Sequence, residues 1–198
     1  MTSQSFALPR HADAERAFRL ARRKFVAGER LDMQVLAAEL KVDRTTLFRW
    51  VGNRDQLIAA IFVSLTEPAV RDADERAGRS GGERIALTAQ LYADTIIGSG
   101  FFQSYLRRES DRALRLLTSK ASPVQSEVVK VFERMIEQER DRGNLDHPMS
   151  SHDLAYIIVR IIESFIYADT ITGETPDAAK VGASVAALLH ARLWRPEP

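Results

Sequence analysis

Residues 32–57 read DMQVLAAELKVDRTTLFRWVGNRDQL, and this stretch decides how the N-terminal part of the chain folds. Apolar Val35, Leu36 and Leu40 predict a short helix over Met33–Leu40. Lys41-Val42 leaves room only for a tight connection. A second helix is expected to start on Asp43, whose carboxylate can accept a backbone N–H as N-cap. Leu47 and Val51, four residues apart, face inward, which turns Arg44, Thr45, Thr46, Arg49 and Trp50 outward. A helix, a tight turn and a basic helix with polar and aromatic residues near its start are what a helix-turn-helix needs in a major groove.

Upstream, Ala14, Ala17, Phe18, Ala21 and Phe25 fall at i, i+3, i+4, i+7 and i+11, so a helix with one apolar face precedes the motif. Downstream there is no period-two strand pattern, and the chain is expected to be all-α. Gln56–Leu65 is apolar-rich, and Pro68 should end or kink that helix. The charged stretch after it runs into Arg79-Ser80-Gly81-Gly82, which reads as a loop. Glu83–Gly98 reads as a helix, followed by shorter patterns over Phe101–Arg108 and Arg112–Thr118. Ser122 and Pro123 open a further helix that reaches about Arg142.

The last two helices carry the second strong pattern. Leu154, Ile157, Ile158, Ile161, Ile162, Phe165 and Ile166 keep helical spacing, and Tyr156, Val159 and Tyr167 widen the stripe. A helix apolar on more than one side is buried on more than one side. After Pro176 a final helix presents Ala178, Ala179, Gly182, Ala183, Ala186 and Ala187, whose small side chains permit close helix approach. Val185, Leu188, Leu189 and Leu193 fill the gaps between them.

Composition narrows the classes. The chain has 198 residues and no cysteine, which excludes a disulfide framework and a thiolate metal site. No apolar run is long enough to span a membrane and no signal peptide opens the chain, so the expected compartment is the cytoplasm. The net charge is only +1, but residues 1–57 hold 11 Arg and Lys against 7 Asp and Glu. The remainder is slightly acidic, which suits a module that touches phosphate with one end.

The motif resembles the TetR family of bacterial transcriptional regulators over residues 12–62. Phe25-Val26-Ala27-Gly28 is similar to the end of that family's first helix, and Leu36-Ala37 and Val42 stand where the family has isoleucine-alanine and a turn valine. Thr46-Leu47-Phe48 through Arg54 to Leu57 resembles its threonine-leucine-tyrosine, lysine, leucine pattern. Four positions depart from it: Phe48 for the tyrosine, Arg54 for the lysine, Lys41 for the turn glycine and Asp32 for a threonine. Beyond residue 62 the likeness is one of architecture. It implies a three-helix helix-turn-helix DNA-binding domain over residues 1–55 and a helical effector-binding and dimerisation domain over 56–198. Within the family, Phe165-Ile166-Tyr167-Ala168-Asp169 and Thr172-Gly173-Glu174-Thr175-Pro176-Asp177 resemble a subgroup named for the regulator of a quorum-quenching lactonase operon. That likeness implies an apolar or lactone-like effector.

Roles follow from side-chain chemistry within this frame. Arg44, Thr45 and Arg49 are candidates for base edges, since arginine pairs bidentately with guanine and threonine offers a hydroxyl and a methyl. Thr46, Trp50 and Arg54 are candidates for phosphate, and Phe48 for packing against the sugar-phosphate edge. A ligand pocket is expected among Tyr92, Ile96, Phe101, Phe102, Tyr105, Phe132, Met135, Ile158, Ile162 and Phe165, with Glu163 as a polar group. The plain alternative is that these aromatics are core and that Arg160 and Glu163 pair at i+3. The family pairs its last two helices across a twofold axis, which assigns Ile157, Ile161, Ile166, Gly182, Val185, Ala186, Leu189 and Leu193 to a homodimer interface suited to a palindromic operator in double-stranded DNA.

Two other classes compete with this reading. Glu133, Glu137 and Asp141 recur along one helix but alternate with Arg134, Arg140 and Arg142, which reads as a solvated face rather than a catalytic one. His147 and His152 flank a loop at a spacing unusual for metal ligands. No nucleophile motif or phosphate-binding glycine loop occurs, so no catalytic residue, cofactor or metal is expected. The second alternative is a helical interaction protein that keeps the family fold with weakened or lost operator reading, which Asp32, Lys41 and Phe48 would favour.

Overall fold

A computed structural model describes residues 12–119 and 122–190, and these form eleven α-helices with no strand. They are α1 (Ala12–Val26), α2 (Met33–Leu40), α3 (Arg44–Val51), α4 (Arg54–Ala77), α5 (Gly81–Ile97), α6 (Gly100–Arg108), α7 (Ser110–Thr118), α8 (Val124–Asp141), α9 (Ser151–Ile166), α10 (Ala168–Ile171) and α11 (Ala178–Leu188). Two compact units result: one holds the described residues up to Ser64 together with Gly100–Val124, the other Leu65–Ser99 together with residues from Gln125 onward. Compactness thus groups α6 and α7 with the N-terminal helices, whereas the sequence reading placed them with the remainder.

In the first unit α1 buries Ala14, Ala17, Phe18, Ala21 and Phe25, the five residues of the predicted stripe. Asp32 caps α2 by accepting the N–H groups of Gln34 at 2.7 Å and Val35 at 3.2 Å. Those hydrogen bonds hold its carboxyl below the ordinary value. The helix ends on Lys41 at φ 58, ψ 42, with the Lys41 N–H directed at the carbonyls of Ala37 and Ala38. This left-handed position is normally glycine's, because Cβ crowds the following carbonyl there. Lys41→Gly is therefore expected to raise stability by about 1 kcal/mol in urea denaturation; no gain would mean that the turn relaxes around the lysine.

An aromatic cluster binds α6 to this unit. Phe25 meets Phe62, Phe101 and Tyr105 edge-on at ring-centroid distances of 5.4, 5.8 and 5.4 Å, and Phe62 meets Phe102 at 5.9 Å. Edge-to-face pairs of this kind each add about 0.5–1.5 kcal/mol beyond area burial. Three sequence-distant segments, α1, α4 and α6, thereby share one core.

Of the two outcomes expected at Pro68, the helix end does not occur: α4 continues through Pro68 to Ala77. Proline removes one backbone donor, so the carbonyl of Ser64, four residues earlier, has no helical N–H to accept. The first compact unit ends at that same residue. Pro68 is exposed, while Val70, Ala73 and Ala77 on the following turns are buried in the second unit. That burial outweighs one lost hydrogen bond.

The second unit is built on α5, α9 and α11. Val181 and Val185 of α11 are fully buried, and a Cβ at Gly182 would collide with the side chain of Gln90. The glycine is what lets α11 close onto α5. A buried polar junction ties the helix ends: the Glu139 carboxylate accepts from the Gly81 N–H at 2.6 Å, Arg84 at 2.6 Å, Arg142 at 2.8 Å and Asn144 at 3.0 Å. Arg84 also forks onto Asp74 at 2.7 and 2.6 Å. The expected loop at residues 79–82 is shorter than predicted, because Gly81 already opens α5. No described helix is long and apolar enough to cross a membrane.

Candidate functional site

The predicted helix-turn-helix is present at the predicted boundaries, α2 over Met33–Leu40 and α3 from Arg44. Asp43 fixes the start of α3: its carboxylate accepts the Thr46 N–H at 2.8 Å and the Thr46 hydroxyl at 2.7 Å. The hydroxyl and then the backbone donors hold the Asp43 carboxyl below its ordinary value. Leu47 is completely buried and sets the rotation of the helix. Arg44, Thr45 and Arg49 are then exposed, whereas Thr46, Phe48 and Trp50 are half-buried. Thr45 and Arg49 lie one turn apart on the solvent side. Arg44 stacks over the Phe48 ring, 5.2 Å from its centroid.

Arg54 behaves differently from its sequence assignment. Its Nε donates to the Leu31 carbonyl at 2.8 Å and its two terminal nitrogens fork onto Glu109 at 2.7 and 2.5 Å. Both side chains are only 16% exposed. The guanidinium that was expected to meet phosphate is engaged inside the protein, and it holds the Glu109 carboxyl below its ordinary value. No local signal marks this pair, because its members lie far apart in the chain. Arg112 on α7 makes a second link to the start of α4 through Asp55 at 2.6 Å.

The pocket candidates divide between the units. Phe101, Phe102 and Tyr105 belong to the first unit's aromatic core, and Phe102 and Tyr105 are buried there. Burial and the nearby Glu109 push the Tyr105 hydroxyl up to about 12. Tyr92, Ile96, Phe132, Met135, Ile158, Ile162, Glu163 and Phe165 belong to the second unit. The structure therefore brings eight of the eleven together in one unit. Tyr92 and Phe132 meet edge-on at 6.3 Å, and Phe132, Ile158 and Ile162 are at most 1% exposed.

Glu163 is the polar group within that apolar set. It is 7% exposed, accepts from Arg160 at 2.6 Å and sits within 3.2 Å of the Gln125 amide nitrogen through both oxygens. The i+3 partner is the one expected from sequence; Gln125 was not foreseen. Burial pushes the Glu163 carboxyl up to about 7, against the pull of Arg160 and Gln125. Burial and the same carboxylate also raise the Tyr92 and Tyr167 hydroxyls. Tyr92 is hydrogen-bonded to Thr66.

Residues 80–190 match the family model described as Tetracyclin repressor-like, C-terminal domain. The chain belongs to the TetR family. Among solved structures, the transcriptional repressor QsdR of R. erythropolis, itself a TetR-family member, is similar at a TM-score of 0.85 and 26% identity, over 96% of this chain and 100% of that one. The TetR-family repressor AlkX of Dietzia sp. strain DQ12-45-1b is similar in fold, with a TM-score of 0.57 and 19% identity over 90% of this chain and 94% of that one. No curated protein matches the sequence. As a TetR-family member, the chain combines an N-terminal helix-turn-helix, α2 and α3, with a C-terminal part that matches the family model.

The residues assigned to a TetR-like dimer face are divided as well. Ile166, Gly182, Val185, Ala186 and Leu189 are buried within the chain itself, since α11 turns its small residues toward α5. Ile157 and Ile161 stay half-exposed next to Tyr156, which is 46% exposed. Leu193 lies outside the described residues. On α11 the outward small residues are Ala179, Ala183 and Ala187. A stripe of small residues signals close approach without saying to which helix. Among the described residues no cluster of His, Asp and Glu is arranged to hold a metal. His152 instead faces Glu133 at 3.2 Å, and Arg140 donates to the carbonyls of His147 and Met149.

Proposed function

We propose that this TetR-family chain is a dimeric repressor that reads a palindromic operator with α3 and is released by a small, largely apolar effector held in the second unit. The observation that carries the reading is α3 itself: a capped helix, locked by Leu47, that presents Thr45 and Arg49 to solvent one turn apart. The dimer face is the half-exposed α9 stripe of Tyr156, Ile157 and Ile161 with the outward alanines of α11. Twofold symmetry of the protein matches the symmetry of a palindrome. Effector and DNA oppose one another by favouring different states of one equilibrium, and α4, which contributes residues to both units, is the covalent link. The effector class is apolar or lactone-like, with Glu163 and Gln125 as its polar contacts. The setting is the cytoplasm.

A gel shift on the intergenic DNA beside the gene, against scrambled DNA at physiological salt, tests this reading. Specific retardation that small-molecule extract reverses supports it. Arg49→Ala is expected to weaken specific binding by about 1–3 kcal/mol and to relax preference at one base pair, as loss of a bidentate base contact does. An equal loss on every sequence would instead make Arg49 a phosphate contact. Absence of any preferred sequence, even in a random-duplex selection, would favour the second reading, a TetR-like interaction protein without operator reading. The engagement of Arg54 by Glu109 is the observation on that side.

A further inference from the structure

A recess of about 660 Å³ opens beside the reading helix, entirely within the first unit. Its wall is made by the start of α2, by Arg44 and Phe48 of α3, by Asn53, Arg54 and Asp55 at the start of α4, and by Arg112 of α7. Arg30 completes the cationic lining, and Asp32 is the second carboxylate. The four guanidinium groups are not equivalent. Arg54 has all three nitrogens engaged, Nε on the Leu31 carbonyl and both terminal nitrogens on Glu109. Arg112 donates only its Nε, to Asp55, and its terminal nitrogens have no hydrogen-bond partner among the described residues. Arg30 and Arg44 have no ion-pair partner within 4 Å among the described residues, and Arg44 is steered by the Phe48 ring. Asp32 is turned to the α2 backbone, where its oxygen accepts two N–H groups. Three arginine forks with unspent donors therefore line one concave surface, next to a helix exposed for major-groove entry. Guanidinium forks match the oxygens of a phosphate in geometry and charge.

We propose that this recess is a phosphate site in which Arg112, carried by α7, grips the DNA backbone together with Arg30 and Arg44. The inference rests on the reading of α3 as the groove helix and extends the DNA footprint to a segment some sixty residues downstream. Asp55, itself in the recess wall, orients Arg112 through its Nε. Glu109 withdraws Arg54, so the backbone contact expected at the start of α4 passes to α7. Because α6 and α7 fold with the N-terminal helices, Arg112 keeps its place relative to α3 within the same compact unit.

The test is fluorescence anisotropy of the full chain on its selected operator and on scrambled duplex, over a salt series. Arg112→Gln should weaken both duplexes by the same factor, roughly tenfold or more, and should reduce the slope of log K against log[salt] by about 1 per protomer bound. Arg30→Gln should act in the same way, and Arg112→Lys should recover part of the loss by restoring charge without the fork. Unchanged melting of each variant, followed by circular dichroism, separates these effects from misfolding. Wild-type binding with an Arg112→Gln variant of equal affinity and slope overturns the proposal and leaves the DNA reading intact. A loss confined to the specific operator overturns it too, because that marks a base contact. Calorimetry with inorganic phosphate supplies a further arm: Arg112-dependent phosphate binding without an effect on DNA would assign the site to a free anion. A wild-type chain that binds no duplex removes the reading of α3 and this inference with it.

Discussion

Glu139→Ala is expected to destabilise the second unit by about 3–5 kcal/mol, the range for removing one member of a buried, hydrogen-bonded charge cluster. The side chain is completely buried, and four donors converge on it. Removing the carboxylate strips α5 of its N-terminal acceptor, because the Ser80 side chain makes no cap hydrogen bond. It also leaves Arg84, only 11% exposed, with Asp74 as its one ion-pair partner beside the Gln138 amide oxygen at 3.3 Å. A second variant separates packing from charge. Glu139→Gln keeps the volume and an acceptor for the Gly81 N–H, and should cost clearly less than alanine.

Acid adds an independent check on the same carboxylate. Burial alone would raise it, but Gly81, Arg84, Asn144 and Arg142 together outweigh burial and hold it at about 2. The unfolded chain takes up this proton near 4.5. The contribution of Glu139 is therefore present above about 4.5 and is lost as pH falls toward about 2. Urea denaturation from pH 5 to pH 3 should show that acid limb in the wild type and a flatter one in Glu139→Gln. Equal acid limbs would contradict the assignment.

Glu163 titrates with the opposite sign. Its folded value is pushed up to about 7 from an ordinary 4.5. Between those values the folded state holds a proton that the unfolded chain has released, so stability falls as pH rises. From pH 5 to pH 8 the expected loss is about 2–3 kcal/mol, taking 1.36 kcal/mol per unit over the part of the shift that this window covers. Glu163→Gln mimics the protonated form, keeps a partner for Gln125 and should match the wild type at pH 5. At pH 8 it should be the more stable protein by that same margin, read as a melting temperature higher by roughly 5–10 °C. If the wild type and the variant lose stability in parallel between pH 5 and 8, Arg160 compensates the carboxylate fully and the raised value is wrong. The same substitution tests the effector reading, because a polar effector contact at Glu163 would be weakened while operator binding in the absence of effector would be kept.

The helix-turn-helix was legible because its determinants are local. Asp32 and Asp43 cap the helices that follow them, Leu47 sets the rotation of α3, and the spacing from Ala14 to Phe25 sets the face of α1. Lys41 could be flagged from sequence as a left-handed position in a turn that prefers glycine, and it adopts φ 58. Pro68 does not end α4, because the helix rule weighs one lost hydrogen bond and cannot see Val70, Ala73 and Ala77 being buried beyond it. Glu139 had a weak signal: it falls on the same helical face as Phe132, Met135 and Ile136, where a lone carboxylate needs partners.

The sequence alone thus determined the all-helical class, the capped α2–α3 motif and the turning of Arg44, Thr45 and Arg49 to solvent, because caps and apolar spacing act within a few residues. Tertiary structure alone decided which distant groups meet. It gave Arg54 to Glu109, placed Arg112 in the recess beside Arg44, turned the small residues of α11 onto α5 and supplied the cap of α5 from Glu139. Those outcomes depend on which helices approach one another across 50 or more residues of chain, and a guanidinium or a glycine carries no local preference between one partner and another.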